Sequence, residues 1–362
     1  MRRSALLLFV TLVAAIAGCS NDERNLPLKE EASNNAIKPE VIAEELQIPW
    51  SIAKSGKDFY ISERTGSIMR IGAGERERQG VILAKNLSSA AEAGLLGFVL
   101  APDFAQSNEA FAYYTYDEEG DPNNRIVRLR LENGQWNEIA ILLDRIPSGT
   151  FHHGGRLAIG PDGKLYATTG DASSNPEIAQ DLNSLGGKIL RMNLDGTIPE
   201  DNPLPQSYVY SYGHRNPQGL TWLADETMYA SEHGPAANDE LNQIIAGHNY
   251  GWPIIEGNEE KAGMETPLFT SGSETTWAPS GIVNYNGKLY AATLRGNAIR
   301  EFDLQSSQTN EVLTGIGRIR DVFINDDFLY FITNNTDGRG TPKAGDDRLY
   351  RVRLSALLET DK

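Results

Sequence analysis

The chain has 362 residues, 40% of them hydrophobic, and a formal net charge of −16. This length and hydrophobic content are enough for a large buried core, so a globular protein is expected. The acidic balance argues against a nucleic-acid partner, because phosphate binding needs a basic surface that the overall charge opposes.

The first 18 residues have the composition of an export signal. Arg2 and Arg3 precede an apolar run from Ala5 to Ala17, which is short for a membrane span, and small residues lead up to Cys19. This ending resembles a bacterial lipoprotein signal, so residues 1–18 are predicted to be cleaved and Cys19 to be lipidated. Ordinary secretion with an incidental cysteine is the alternative.

The segment that follows is predicted to tether a domain to the membrane. Residues 19–38 are polar and lack periodicity, which is typical of a flexible linker. Cys19 is the only cysteine, so no intrachain disulfide is expected. The predicted location is the periplasmic face of a membrane, and Ser20 weakly favours the outer membrane.

Residues 39–358 are predicted to form one all-β domain, because apolar residues alternate or cluster in short runs between Gly, Pro, Asn and Asp. A unit of short apolar strand, turn and aromatic strand recurs with starts at Ser51, Gly97, Arg156, Gly219, Gly281 and Asp321. Comparable positions in these units hold Tyr60, Tyr113, Tyr166, Tyr229, Tyr290 and Tyr330. The steps between units are irregular but of propeller-blade size, about 40 to 60 residues.

A six-bladed β-propeller of four-stranded blades follows from this repeat, because one such sheet cannot bury both of its faces. Val41–Leu46 precedes the first unit without a partner of its own. We expect it to pair with the last strand, at Arg348–Leu354, and so to join the two ends of the chain in one blade. A β-sandwich with a second domain is the alternative.

The third unit, from Phe151 to Asp171, carries the most suggestive pair of side chains. Leu157–Ile159 and Leu165–Thr168 can form a hairpin across a turn that contains Gly163, and this hairpin would bring His152 close to Asp171. A histidine oriented by a carboxylate can act as a general base near neutral pH. A purely structural hydrogen bond is the alternative.

Further polar residues fall at the edges of the repeated units, where propeller loops meet at one mouth. They include Glu92, Arg215, Asn216, Arg295, Arg318 and Arg320. Four arginines from different blades would form an anion site inside an acidic protein. The alternative is that each arginine only ties its loop to a neighbouring carboxylate.

The loop that begins at Gly234 mixes acidic residues with Gly, Pro and Asn, and it can supply the oxygen ligands that calcium prefers. The alternative is that Asp239 and Glu240 are simply solvated. A zinc site is disfavoured because there is no HExxH pattern, and a nicotinamide cofactor because there is no βαβ unit with a glycine fingerprint.

Several motifs taken together resemble the soluble quinoprotein aldose dehydrogenases, the glucose/sorbosone dehydrogenase family. They are GLLGFVLAPDF, HHGGRLAIGPDGKLY, YGHRNPQGL, EHGPAANDELN, NYGWP and RIRDV, and the likeness extends from about Ile48 to Leu354. The resemblance implies a six-bladed propeller that binds pyrroloquinoline quinone (PQQ) and calcium. It also implies oxidation of aldose sugars at the anomeric carbon to lactones.

The resemblance also implies roles for individual residues. His152 would be the base, Asp171 would orient it, and Arg215 would lie beside the reactive quinone carbonyl. The cofactor-binding set would comprise Glu92, Arg215, Asn216, Arg295, Arg318 and Arg320. Gly234, Pro235, Glu240 and Tyr250 would hold calcium.

Two positions depart from the family pattern. Arg295 stands where members commonly place a lysine, and Glu92 stands where they place a glutamine near the sugar. No aromatic residue that could cover the cofactor is evident after Pro253.

The predicted protein is therefore a lipid-anchored dehydrogenase that takes electrons from an aldose and passes them to a respiratory acceptor, a cytochrome or a quinone. A calcium-dependent propeller hydrolase such as a lactonase is one alternative, and a non-catalytic sugar-binding lipoprotein is another. The arginine set favours the dehydrogenase over the hydrolase, because a lactonase has no use for a site that binds a trianion.

Overall fold

The structure is a computed structural model that describes residues 37–72 and 74–358. The predicted signal peptide, Cys19 and nearly all of the predicted tether lie outside the described residues. Within the described ranges, no helix is long and apolar enough to cross a membrane.

The first part of the domain is built from strands with one short helix. In chain order these are β1 (Glu40–Ala43), β2 (Pro49–Ser55), β3 (Asp58–Glu63), β4 (Ser67–Gly72), β5 (Glu75–Ile82), β6 (Leu95–Leu100), α1 (Phe104–Ser107), β7 (Glu109–Glu118), β8 (Asp121–Glu132) and β9 (Gln135–Pro147).

The remainder continues in the same way, with a 3₁₀ turn at Pro176–Ala179. Its elements are β10 (Leu157–Ile159), β11 (Leu165–Thr169), β12 (Lys188–Met192), β13 (Val209–Tyr212), β14 (Pro217–Trp222), β15 (Met228–Glu232), β16 (Glu240–Ile244), β17 (Phe269–Thr270), β18 (Pro279–Tyr285), β19 (Lys288–Thr293), β20 (Ala298–Asp303), β21 (Gln308–Thr314), β22 (Ile319–Asn325), β23 (Phe328–Thr333), β24 (Leu349–Arg353) and α2 (Leu354–Leu358). The prediction of an all-β protein is confirmed.

These strands form antiparallel four-stranded sheets that follow chain order. Strands β10 to β13, β14 to β17 and β18 to β21 each make one sheet, and in a fourth sheet β1 pairs with β24, next to β23 and β22. An eight-stranded sheet contains β2 to β5 and β6 to β9, and a short parallel pairing of Val81 with Trp136 and Ile82 with Asn137 joins these two halves into one sheet.

The repeated sequence units coincide with the first two strands of these four-stranded groups. The six repeat tyrosines all lie on the second strand of a group, and all are buried. This position explains the aromatic signal, because the second strand has neighbours on both edges and faces the adjacent sheet.

The first strands of adjacent groups approach closely, and glycine is required at these contacts. A Cβ atom on Gly219 of β14 would lie 2.3 Å from the Ser280 carbonyl of β18, and one on Gly281 would lie 1.7 Å from the Asp321 carboxylate of β22. Asp321 also accepts a hydrogen bond of 2.8 Å from the Ile52 amide of β2. The segments that lead into these strands are therefore held close together, and Glu92, His152, Arg215 and Arg318 lie on them.

Candidate active site

The hairpin predicted from Phe151 to Asp171 is present and brings His152 to Asp171. Strands β10 and β11 pair with Leu157 opposite Ala167 and Ile159 opposite Leu165. The Nδ1 atom of His152 lies 2.7 Å from the Asp171 carboxylate. Since Nδ1 is occupied by this hydrogen bond, Nε2 is the nitrogen left to exchange a proton with a ligand.

Asp171 is held as an ionised acceptor. Its side chain is 2% exposed, and besides His152 it accepts hydrogen bonds of 2.8 Å from the Ser173 amide and 2.8 Å from the Trp252 indole. Burial opposes ionisation, but the hydrogen bond and charge interaction with His152 and the other donors keep the pKa of Asp171 below its ordinary value. The His152 ring is therefore oriented by a carboxylate that is charged at neutral pH.

His153, the second histidine of the motif, has a structural environment. Its Nδ1 lies 2.7 Å from the Ser148 hydroxyl and its Nε2 lies 2.9 Å from the Ala91 carbonyl oxygen. Burial lowers the pKa of His153. With both ring nitrogens engaged in these hydrogen bonds, His153 has a structural role.

Arg215 lies beside this pair with its guanidinium incompletely bonded. The Asp171 amide donates to the Arg215 carbonyl oxygen at 2.9 Å, and the Arg215 guanidinium lies 5.3 Å from the centre of the Trp252 ring. Its Nη1 donates at 3.3 Å to the His233 carbonyl oxygen, and its buried Nε finds no acceptor in the part of the chain that the structure describes. Burial lowers the pKa of Arg215. A buried donor without an acceptor indicates a place for an anionic ligand.

Glu232 organises the backbone on both sides of Arg215. Its carboxylate accepts hydrogen bonds from the amides of Arg215 and Asn216, and it bonds the buried His214 ring at 2.9 Å. The Asn216 side-chain oxygen in turn accepts a 3.0 Å hydrogen bond from the Gly154 amide. In this structure Asn216 thus connects the Arg215 turn to the His152 turn.

The predicted metal residues lie together in one cleft, here called the Trp252 cleft. It is lined by Gly213, Arg215, Glu232, His233, Gly234, Pro235, Asn238, Glu240, Tyr250, Trp252, Ile255 and Glu256. Burial and the nearby Glu232 charge raise the pKa of Glu240 to about 8. Two crowded carboxylates beside two backbone carbonyls provide the oxygen donors and the negative potential that suit calcium. Within the described residues, no group of three or more His, Cys, Asp or Glu side chains could hold a metal ion, so backbone oxygens would have to complete such a site.

Asp239 is not solvated, and the sequence alternative is wrong for this residue. It is 2% exposed, and it accepts hydrogen bonds from the amides of Gly234, Trp277 and Ala278 at 2.9, 2.6 and 2.8 Å. Asp239 therefore fixes the loop that presents Gly234 and Pro235, and it serves the site through the backbone.

Arg320 belongs to an adjoining cleft, here called the Arg320 cleft. Its lining comprises Trp50, Arg64, Glu92, Leu96, His153, Gly154, Gln218, His233, Leu294, Arg320 and Arg339. Arg320 is buried and donates to the Gln218 side-chain oxygen at 2.8 Å, and among the described residues it has no ion-pair partner and its Nε has no acceptor. Burial and the charge of Arg318 lower the pKa of Arg320 to about 9.

The other two predicted arginines differ from Arg320. Arg318 is buried and pairs with Asp337 at 2.9 Å, although its Nε also lacks a partner. Arg295 is exposed and lines, with Arg318, a third cleft that shares Leu294 and Arg339 with the Arg320 cleft. The alternative that each arginine only ties its loop to a carboxylate therefore accounts for the Asp337 pair of Arg318, and it does not account for Arg320.

Three residues that the sequence did not assign belong to these clefts: Trp252, Arg64 and Arg339. Trp252 lines the Trp252 cleft and lies just before Pro253, in the motif NYGWP that was the available signal, whereas the missing aromatic residue was noted only after Pro253. Arg64 directly follows the first repeated unit, SIAKSGKDFYISE, and Arg339 lies in a loop whose sequence has no distinguishing pattern.

A partly buried histidine–carboxylate pair thus lies beside incompletely bonded arginines on an all-β frame, an arrangement that suits an anionic ligand. A sequence model of the family described as Glucose / Sorbosone dehydrogenase matches residues 46–351. The chain belongs to this family, and the prediction that it is an oxidoreductase of the family is confirmed.

Three similar proteins are informative. The chain is 30% identical to the aldose sugar dehydrogenase YliI of Escherichia coli, covering 85% of this chain and 92% of that protein. It is 35% identical to quinoprotein glucose dehydrogenase B of Acinetobacter calcoaceticus over 57% of this chain, and the match spans half the length of that relative. The solved structure of an aldose sugar dehydrogenase from Streptomyces coelicolor in its PQQ-bound form is 39% identical, with a TM-score of 0.82 and coverage of 88% of this chain and 98% of that chain.

Proposed function

We propose that this protein oxidises aldose sugars at the anomeric carbon to lactones, with PQQ and calcium as cofactors. The observation that carries the proposal is the position of the His152–Asp171 pair beside Arg215, with the buried Arg320 in the adjoining cleft; among the described residues, the Nε donor of each arginine has no hydrogen-bond partner. Relatives named as quinoprotein and aldose sugar dehydrogenases, and the PQQ-bound Streptomyces structure, support it.

The donor set of the site fits PQQ, which carries three carboxylates. Arg215, Asn216, Arg318 and Arg320 would hold its polar edge, with Arg295 at the exposed end and Glu92 at the sugar side. Gly234, Pro235, Glu240 and Tyr250 would hold calcium in the Trp252 cleft. When bound, PQQ would supply a hydride acceptor for the sugar, and calcium would supply a Lewis acid to polarise it.

The protein's own residues would manage the proton and the charge. Nε2 of His152 takes the proton of the anomeric hydroxyl as the C1–H bond breaks and the C1=O bond of the lactone forms. The imidazolium that results is stabilised by the ionised Asp171. Arg215, which lines the cleft, would stabilise the negative charge that develops on the hydride acceptor.

We further propose that the six four-stranded groups form a six-bladed propeller over residues 39–358, with β1 and β24 in one blade. This arrangement rests on the repeat, on the contacts between first strands and on the pairing of β1 with β24. We also propose that the mature chain is anchored through a lipid on Cys19 at the periplasmic face and passes electrons to a respiratory acceptor.

The test is spectroscopic and uses the full chain purified in detergent. With PQQ and calcium added, we expect a bound-quinone absorbance that bleaches on addition of aldoses and supports dye reduction. His152→Ala should bind PQQ with the same affinity and show no turnover. Bound quinone that no aldose in a broad panel can bleach would refute the proposed function, and lactone hydrolysis without PQQ would favour the hydrolase alternative.

A further inference from the structure

Arg339 reaches the predicted base through a single intermediate residue, Glu92. Arg339 lies in the loop between β23 and β24, and its Nη1 donates to one carboxylate oxygen of Glu92. The other carboxylate oxygen accepts a 3.3 Å hydrogen bond from the backbone amide of His152. The Arg339 guanidinium also lies 5.5 Å from the centre of the Phe151 ring, next in sequence to His152.

The backbone of His152 needs such support. Its φ is +63°, in the left-handed region that disfavours residues with a side chain, and such a conformation persists only where the surroundings impose it. The turn is fixed on its far side by the hydrogen bond from the Gly154 amide to Asn216. On its near side, the amide of His152 is held by Glu92.

We propose that Arg339 and Glu92 form a positioning pair that holds the His152 backbone in its left-handed conformation and so keeps the imidazole on Asp171. The proposal rests on the proposed function in one respect, namely that His152 is the base. Arg339, in the loop between β23 and β24, is then a positioning residue for His152, which precedes β10.

The charge state of Glu92 and the small expected effect of removing Arg339 on stability both agree with this role. Burial opposes the charge on Glu92, but Arg339 lowers the pKa of Glu92 to about 2, so the carboxylate remains ionised and accepts from both partners. The Arg339 side chain is 46% exposed, and ion pairs as exposed as this one contribute little to stability. Removing it should therefore disturb the His152 turn without unfolding the protein.

The experiment compares Arg339→Gln, Arg339→Lys, Glu92→Ala and the double variant Arg339→Gln with Glu92→Ala against wild type. Arg351→Gln is the matched control, because Arg351 also pairs with a glutamate, Glu40, and also covers a phenylalanine, Phe328, at 4.7 Å.

The first readout needs no cofactor. The Nδ1–H proton of His152 is observed by NMR in the cofactor-free protein and is assigned by its absence in His152→Ala. We expect its exchange with water to accelerate about tenfold or more in Arg339→Gln and Glu92→Ala, to recover in part in Arg339→Lys, and to stay unchanged in the control.

The second readout is turnover at saturating PQQ, calcium and aldose. We expect kcat to fall about 10- to 100-fold in each single variant, since a small misplacement of a reacting group lowers the rate by a factor of this order. The double variant should be no slower than the slower single variant, because the two residues act as one unit.

Two results would overturn the proposal. An unchanged His152 signal in Arg339→Gln would show that Arg339 does not position the histidine, whatever happens to turnover. Losses in kcat that multiply in the double variant would show that the two residues act independently. If the wild type oxidises no aldose, the proposed function fails, and the NMR comparison still decides the role of the pair.

Discussion

Replacing Asp171 with asparagine tests whether the buried carboxylate orients His152 as a base. Three donors converge on this carboxylate: His152 Nδ1, the Ser173 amide and the Trp252 indole. An amide of the same shape offers one acceptor oxygen and one donor group, so at least one of these donors must face another donor or the ring must turn.

The magnitude follows from the hydrogen bond that is lost. A hydrogen bond to a charged group contributes about 1.5–3 kcal/mol, so kcat should fall about 10- to 150-fold if that contribution is expressed in the transition state. Dye reduction at saturating sugar and cofactor measures kcat, and quinone absorbance measures cofactor binding, which should be unchanged.

The matched control is Glu265→Gln. His248 and Glu265 form a pair of nearly the same length, 2.8 Å, but both side chains are exposed, at 43% and 40%. This variant should retain wild-type turnover. If Asp171→Asn also retains wild-type kcat, the orientation of His152 by a carboxylate is not needed for the reaction, and the reasoning about the pair is wrong.

Three further outcomes are expected. Arg320→Met should weaken PQQ binding by about 100-fold or more and raise the Tm of the cofactor-free protein, because it removes a buried charge that the ligand compensates. A variant with the Tm and the PQQ affinity of the wild type would contradict this. Glu92→Gln should reduce the loss of unfolding free energy between about pH 4.5 and 2. In the wild type, the Glu92 carboxylate stabilises the fold above its ordinary pKa, and this contribution is lost as pH falls through the folded pKa of about 2. Lys188→Met should lower the free energy of unfolding by at least about 2 kcal/mol in denaturant titration, because the Lys188 ammonium donates to the carbonyls of Ile178, Ala179 and Gly186.

The parts of the site that the sequence predicted are those encoded locally. His152 and Asp171 are joined by one hairpin, so the alternation of apolar residues and the turn between them were sufficient to predict their contact. Glu232, Gly234 and Pro235 follow one strand of the repeat, and their gathering with Arg215 in one cleft needed only the repeat and the motif resemblance.

The parts that were missed depend on contacts between distant segments. Trp252 reaches Asp171 across 81 residues, and Arg339 reaches Glu92 across 247. No local periodicity carries such pairings, since they are decided by how the sheets are placed around the site. The structural role of Asp239 was not predicted for the same reason: its buried partners, Trp277 and Ala278, lie nearly forty residues further along the chain.

The pairing of the first strand with the last has a consequence for how the chain reaches its native state. β24 lies between β1 and β23, with Glu40 opposite Arg351, so β1 has no sheet to join until nearly the whole chain is present. Contacts of such long sequence separation slow folding, since the loop must close before the pairing is gained. A chain truncated before Leu349 would leave an open edge on β23 and an unpaired β1, both of which favour aggregation. The sheet of β22, β23, β24 and β1 can therefore be completed only when the chain extends through its last strand.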